Sequence, residues 1–340
     1  TLLTTCMLCI FLYLYIFYFF MTKLNKTFPT LFLLSPLMLG MPILSDFFIR
    51  KDILGLLLLI FLVYICKSKL KSLKFFICIN SFYMLSILIN ETILFYSFFI
   101  IFLFTLERNR IYEKIVKNII STLLILSPSL IIFIILIIYD LNFEGSSAIH
   151  NSWQNLWIAI SPQDCCNYEM GGEIMALRDE KINFLNLYNV IKNYPTNILA
   201  WLITIFTCFV FIINYLKEPK IKKKYLLKIL IIQFISLLPL FFFAGDWGRW
   251  TFFWISSTMI AYIYNINLNY NFLNLLDVFC NKLITKKIFN IKMQPIYLLF
   301  IGFPIVHYQW SLFNYYMTSI FGKLSAIIFK ILTKGISVYF

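Results

Sequence analysis

Residues 75–106 read FFICINSFYMLSILINETILFYSFFIIFLFTL, and one side chain in the run is charged, Glu91. Lys67, Lys69, Lys71 and Lys74 precede the run; Arg108, Arg110, Lys114 and Lys117 follow it. Short loops rich in Lys and Arg stay on the cytoplasmic side of a membrane. Both flanks therefore lie inside, and the run crosses an even number of times. It reads as a helical hairpin with Glu91 at its outer tip. Each arm has about 15 residues, against the roughly 20 of a straight span. That places the tip slightly below the outer headgroups. An ionisable group there is costly and by default marks a functional site.

The whole chain shares this character. It is 61% hydrophobic and 13% charged, with a mean hydropathy of +0.85, which excludes an ordinary soluble domain. The net charge of +14 does not imply nucleic acid, because the lysines sit between apolar runs where they set topology. Apolar spans are read at 2–21, 28–45, 53–66, 75–90, 92–106, 118–139, 196–216, 225–244, 251–270 and 294–310, with 312–329 as a candidate eleventh. The expected fold is an all-α, polytopic transmembrane bundle of about ten or eleven helices, one integral domain over 1–340. Residues 2–21 lack a basic leader and a cleavage motif, so they read as a helix rather than a signal peptide. Pro29, Pro36, Gly40 and Pro42 break the second span, which therefore needs protein around its backbone.

Alternating the spans gives two faces. The face of 22–27, 67–74, 107–117, 217–224 and 271–293, with Lys228, holds 20 of the 29 basic residues and is assigned to the cytoplasm. In the tail, Lys323, Lys330 and Lys334 lie opposite Ile327, Ile328 and Ile331, an interfacial amphipathic pattern. Parity places this tail outside, whereas its charge favours the inside.

Three short loops gather ionisable residues on the outer face: Asp46 to Asp52 with Arg50 and Lys51, Asn90-Glu91-Thr92, and Gly245-Asp246-Trp247-Gly248-Arg249-Trp250. Each residue has a plain structural reading. Asp46 and Arg50 are four apart and suit a helix-end pair. Glu91 suits a helix N-terminus. Trp247 and Trp250 suit a membrane-interface belt. Taken together, three loops placing acids and arginines on one face of an uncharged bundle point to a site. Arginine there suits a partner carboxylate or a lipid-linked phosphate. The fourth outer element is the extracytoplasmic loop 140–195, which holds Trp153 and Trp157 and a short amphipathic helix within 174–191 and is expected to cover the outer cavity.

Of the eight cysteines, six lie in or beside spans, and Cys165 and Cys166 lie in the long loop. No zinc-ligand spacing, phosphate-binding loop, dinucleotide glycine motif or nucleophile elbow occurs, so no metal or cofactor is expected.

The layout, together with Glu91, the Arg50-Lys51-Asp52 triplet and the Asp246–Trp250 motif DWGRW, resembles bacterial membrane proteins of surface-polysaccharide biosynthesis. These are the O-antigen or capsule repeat-unit polymerases and the lipid-dependent membrane glycosyltransferases. The resemblance implies a multi-pass protein of the inner membrane that transfers sugar from a polyprenyl-diphosphate-linked glycan at the outer face. It implies Glu91, Asp246 or Asp46 as general base. It implies Arg50, Lys51 and Arg249 as counter-charges to the diphosphate, Asp52 in the same motif, and Trp247 and Trp250 as sugar-stacking rings. Two other classes compete: a multi-pass transporter or flippase, and a non-catalytic membrane assembly subunit. A transporter is expected to carry ionisable residues near the midplane, where this sequence has almost none.

Overall fold

The computed structural model describes residues 2–24, 30–33, 35, 38, 52–108, 115–138, 199, 201–207, 209–210, 220–243, 247–268, 270, 273–285, 295–302, 316–317 and 319–336. These residues form an all-α bundle. Its helices are α1 (Leu2–Leu24), the single turn α2 (Thr30–Leu33), α3 (Asp52–Lys67), α4 (Ser72–Ile89) and α5 (Ile93–Arg108). They continue with α6 (Ile115–Ile138), α7 (Lys220–Phe243), α8 (Trp247–Ile263), α9 (Asn274–Thr285) and α10 (Ile320–Ile336). Residues 201–207 are also helical, and Pro295–Leu299 form a 3₁₀ turn. Three helices contain stretches long and apolar enough to cross a membrane: Ser72–Ile89, Ile115–Leu136 and Ile221–Phe241. The expected loop 140–195 lies outside the described residues.

The hairpin read from the sequence is present as α4, the turn Asn90-Glu91-Thr92, and α5. Its arms pack mainly on other helices. α3 and α6 each contact both arms, wedging them apart, and α7 lies against α5. α5 and α8 form the centre: Tyr96, Ile100 and Leu103 on one, and Phe253, Trp254 and Ile260 on the other, are fully buried. The Tyr96 and Phe253 rings stack 4.4 Å apart at 6°. Gly55 of α3 permits close approach, since a side chain there would meet Tyr96 and Ile93 of α5.

In a dry interior a buried polar group must find a partner. The Tyr83 hydroxyl of α4 accepts a 3.0 Å bond from Ser97 of α5. The Trp254 indole N–H of α8 donates to the Leu230 carbonyl of α7 at 2.7 Å. Pro128 within α6 cannot donate a backbone N–H, which leaves the Leu124 carbonyl without its helical donor. Ser127 Oγ donates to that carbonyl at 2.8 Å. One residue on, the Ile125 carbonyl takes a 2.8 Å bond from Asn80 of α4, whose side-chain oxygen accepts from Ser129 at 2.9 Å. The proline irregularity is thus filled by side chains.

Three expectations are corrected. The span read at 251–270 ends at Ile263. Asn265 there takes φ 50°, its N–H bonds the Tyr262 carbonyl and the Ile266 N–H bonds the Ala261 carbonyl. That paired bonding around a left-handed residue is a Schellman stop, and an apolar reading ran through it because Ile266 and Leu268 follow. The described start of the span read at 294–310 is the 3₁₀ turn Pro295–Leu299, not an α-helix. The candidate span 312–329 is described only in part: residues 316–317 are helical, and α10 starts at Ile320, where Ser319 Oγ accepts the Gly322 N–H at 3.0 Å, and runs on to Ile336 rather than ending at 329. Of the broken second span, Pro29, Pro36, Gly40 and Pro42 lie outside the described residues. Phe32, Leu33 and Ser35 are buried, and α2 packs on the Pro295–Leu299 turn.

Candidate functional site

The two ends of the bundle differ chemically. At one end lie the α4–α5 turn and the starts of α3 and α8, tied through Gly55, Tyr96 and Phe253. This end carries Glu91 and Arg249. The turn is rigid: Asn90 is buried, and its side-chain oxygen accepts from the Thr92 N–H at 3.1 Å and the Thr92 hydroxyl at 2.7 Å. Asn90 therefore does the capping that Glu91 was one candidate for, and the Glu91 side chain is exposed. Arg249 is half-buried in the first turn of α8, its guanidinium 5.0 Å from the centre of the Trp250 ring, a distance at which cation and ring attract.

Trp250 itself is 2% exposed and packs towards Phe253. Its described position is a packed one, which does not suit the sugar-stacking role that the resemblance implies for it. The side chains of Trp247 and of Asp52, the first residue of α3, lie outside the described residues, as do Asp46, Arg50, Lys51 and Asp246 entirely. Of the nine candidates the described structure thus places Glu91 and Arg249 at one end and Trp250 just inside it. Among the described residues no three His, Cys, Asp or Glu side chains gather as a metal site would require.

The opposite end is basic, and sequence reasoning had given its residues a topological role alone. Arg108, the last residue of α5, donates to the carbonyls of Cys66, Ser68 and Leu70, holding the end of α3 and the loop that follows it, and lies 4.1 Å over the Phe75 ring. Lys67 donates to the Tyr264 carbonyl, joining α3 to the end of α8. On α7, Lys224 and Lys228 both bond Asp277 of α9 at 2.8 Å. The i, i+4 spacing of the two lysines and the isolation of Asp277, the one acid in 271–293, were the available signal. Between the ends the contacts are hydroxyl, amide and indole hydrogen bonds. The deepest described ammonium or carboxylate is Lys228, which is 5% exposed and bound to Asp277.

The class defined by this architecture is an all-α protein with three candidate membrane spans among the described residues and its described charged groups towards the two ends. No protein-family model, curated protein or solved structure matches the chain significantly.

Proposed function

We propose that this chain is a bacterial inner-membrane protein of cell-envelope polysaccharide assembly. It acts as a glycosyltransferase or repeat-unit polymerase on a polyprenyl-diphosphate-linked sugar at the outer face. The observation that carries this reading is the placement of Glu91 and Arg249 at the end of the bundle opposite the lysine-rich end. By the positive-inside rule the lysine-rich end is cytoplasmic, so the Glu91–Arg249 end faces out.

In the proposed reaction an acceptor hydroxyl attacks the anomeric carbon, and its proton passes to the Glu91 carboxylate as general base. The anomeric carbon–oxygen bond to the diphosphate breaks, and the diphosphate leaves with the electron pair. Arg249, with Arg50 and Lys51 from the first outer loop, balances the charge that develops on it. Asp246 and Asp46 are the alternative bases of the same reaction, with Asp52 and Trp247 at the rim.

A deletion strain complemented with wild type, Glu91→Gln or Arg249→Ala tests this, with surface polysaccharide resolved on a gel. Wild type is expected to restore long-chain glycan, and both variants are expected to fail at normal protein abundance. Normal polymer from the Arg249→Ala strain sinks the assignment. A glycan profile unchanged by the deletion itself moves the protein to transport or to a non-catalytic assembly role.

A further inference from the structure

At the basic end, a cavity of about 240 Å³ opens where the end of α1, the start of α7 and the end of α8 meet. Its polar lining is Lys23, Lys222, Tyr225, Tyr262 and Asn265. The wall is fixed before any ligand arrives. The Tyr225 hydroxyl donates to the Ile266 carbonyl at 2.7 Å, tying α7 to the Schellman turn, and Asn265 sits in that turn. Two lysines from different helices therefore flank a preformed hollow with hydroxyl and amide groups between them. Lysine is a compact point charge that suits phosphate.

The cavity's setting narrows the ligand. Basic pockets between helices at the cytoplasmic surface are the recurrent way membrane proteins hold anionic headgroups. α1 exposes Met7, Phe11, Leu14 and Tyr18, each more than half exposed, at spacings of four and three that form one stripe. That stripe lies on the face of α1 opposite the buried Leu12, Ile16, Phe20 and Leu24, so it marks α1 as the lipid boundary of the bundle and puts the cavity beside Lys23 and Leu24 at the level of the headgroups.

The geometry points to this cavity as a binding site for a phosphodiester group, supplied by the headgroup of an anionic membrane lipid. The inference rests on the membrane reading and the orientation of the basic end, not on the glycan chemistry at the other end. One neighbour opposes it. Glu107 lies within electrostatic reach of Tyr225 and has one buried carboxyl oxygen without a hydrogen-bond partner among the described residues. A phosphate site predicts that neutralising Glu107 strengthens binding; a cation site predicts the reverse.

The test uses the full chain purified in detergent, with native mass spectrometry as readout. The probes are dioleoyl phosphatidylglycerol, dioleoyl phosphatidylcholine and inorganic phosphate. Phosphatidylglycerol is expected to bind more tightly than phosphatidylcholine. Lys23→Ala and Lys222→Ala are each expected to weaken it about fivefold, from roughly 1 kcal/mol per lysine at a membrane surface. Glu107→Gln is expected to tighten it. Lys69→Ala/Lys71→Ala, which removes two exposed lysines of the same end, is expected to change nothing. Lys23→Arg and Lys222→Arg keep the charge, so retained binding there shows that loss in the alanine variants is not misfolding. Equal binding of the two lipids, or an unaffected double Lys23→Ala/Lys222→Ala variant, overturns the site. Inorganic phosphate bound as tightly as the lipid overturns the lipid as source.

Discussion

Arg108 illustrates how a residue read for one purpose serves another. Its sequence context, beside Arg110 and Lys114, marks it as a topology signal. In the structure its guanidinium closes the end of α3 by donating to three carbonyls and stacks over Phe75. The Cys66 carbonyl is one of the orphans a helix C-terminus leaves, Ser68 and Leu70 belong to the loop after α3, and a planar fork reaches several acceptors at once where an ammonium does not. Arg108→Lys is therefore expected to lower stability by about 2 kcal/mol, a typical loss for charge-assisted hydrogen bonds. Thermal unfolding of the purified protein in detergent checks this, and an unchanged midpoint rejects that role. Glu91 was legible because an isolated charge in an apolar run is a local signal. The partners of Arg108 were not, because they lie about 40 residues away in sequence and nothing local encodes that meeting. Asn265 lies between: an asparagine after a helix is a known stop, masked here by the apolar residues beyond it.

α9 is held to the bundle by the pairing of Asp277 with Lys224 and Lys228, while Leu275, Val278 and Phe279 face outward. Burial pushes the Asp277 carboxyl up, but the hydrogen bonds and charge of the two lysines outweigh it and hold it below the ordinary carboxylate range. The folded state thus binds this proton more weakly than the unfolded chain does. The pair stabilises the docked helix above the ordinary carboxylate pKa, and that contribution is lost as pH falls through the depressed folded value. Amide exchange in α9 is expected to be flat from about pH 7 to about pH 5 and to rise below about pH 4, after correction for the intrinsic rate. Asp277→Asn is expected to raise it throughout, because it leaves the buried Lys228 without its carboxylate. Wild-type protection that is level down to pH 3 would show that the clamp contributes nothing. At this scale the helices α3 to α7 were legible to within a few residues, since each is a continuous apolar run between charges. The Pro295–Leu299 turn was not, because hydropathy reports apolar length and is blind to backbone geometry.

Across the molecule, the sorting of charge makes a topology that can be measured. Single cysteines placed at Glu91 and at Lys69, both exposed, are expected to react differently with a membrane-impermeant maleimide on intact cells. Position 91 is expected to label directly, and position 69 only after permeabilisation, each read against the unsubstituted chain. The opposite pattern inverts the orientation and removes the outer-face chemistry with it. The wedging of α3 and α6 between the hairpin arms carries a further consequence, for the order of assembly. α3 to α6 follow one another over residues 52–138, so all four are available to pack together before α7 is made. α7 and α8, which bury the other side of α5, arrive more than 80 residues after α6 ends. During synthesis the face of the Tyr96 ring that stacks on Phe253 therefore stays without that partner until α8 has been made.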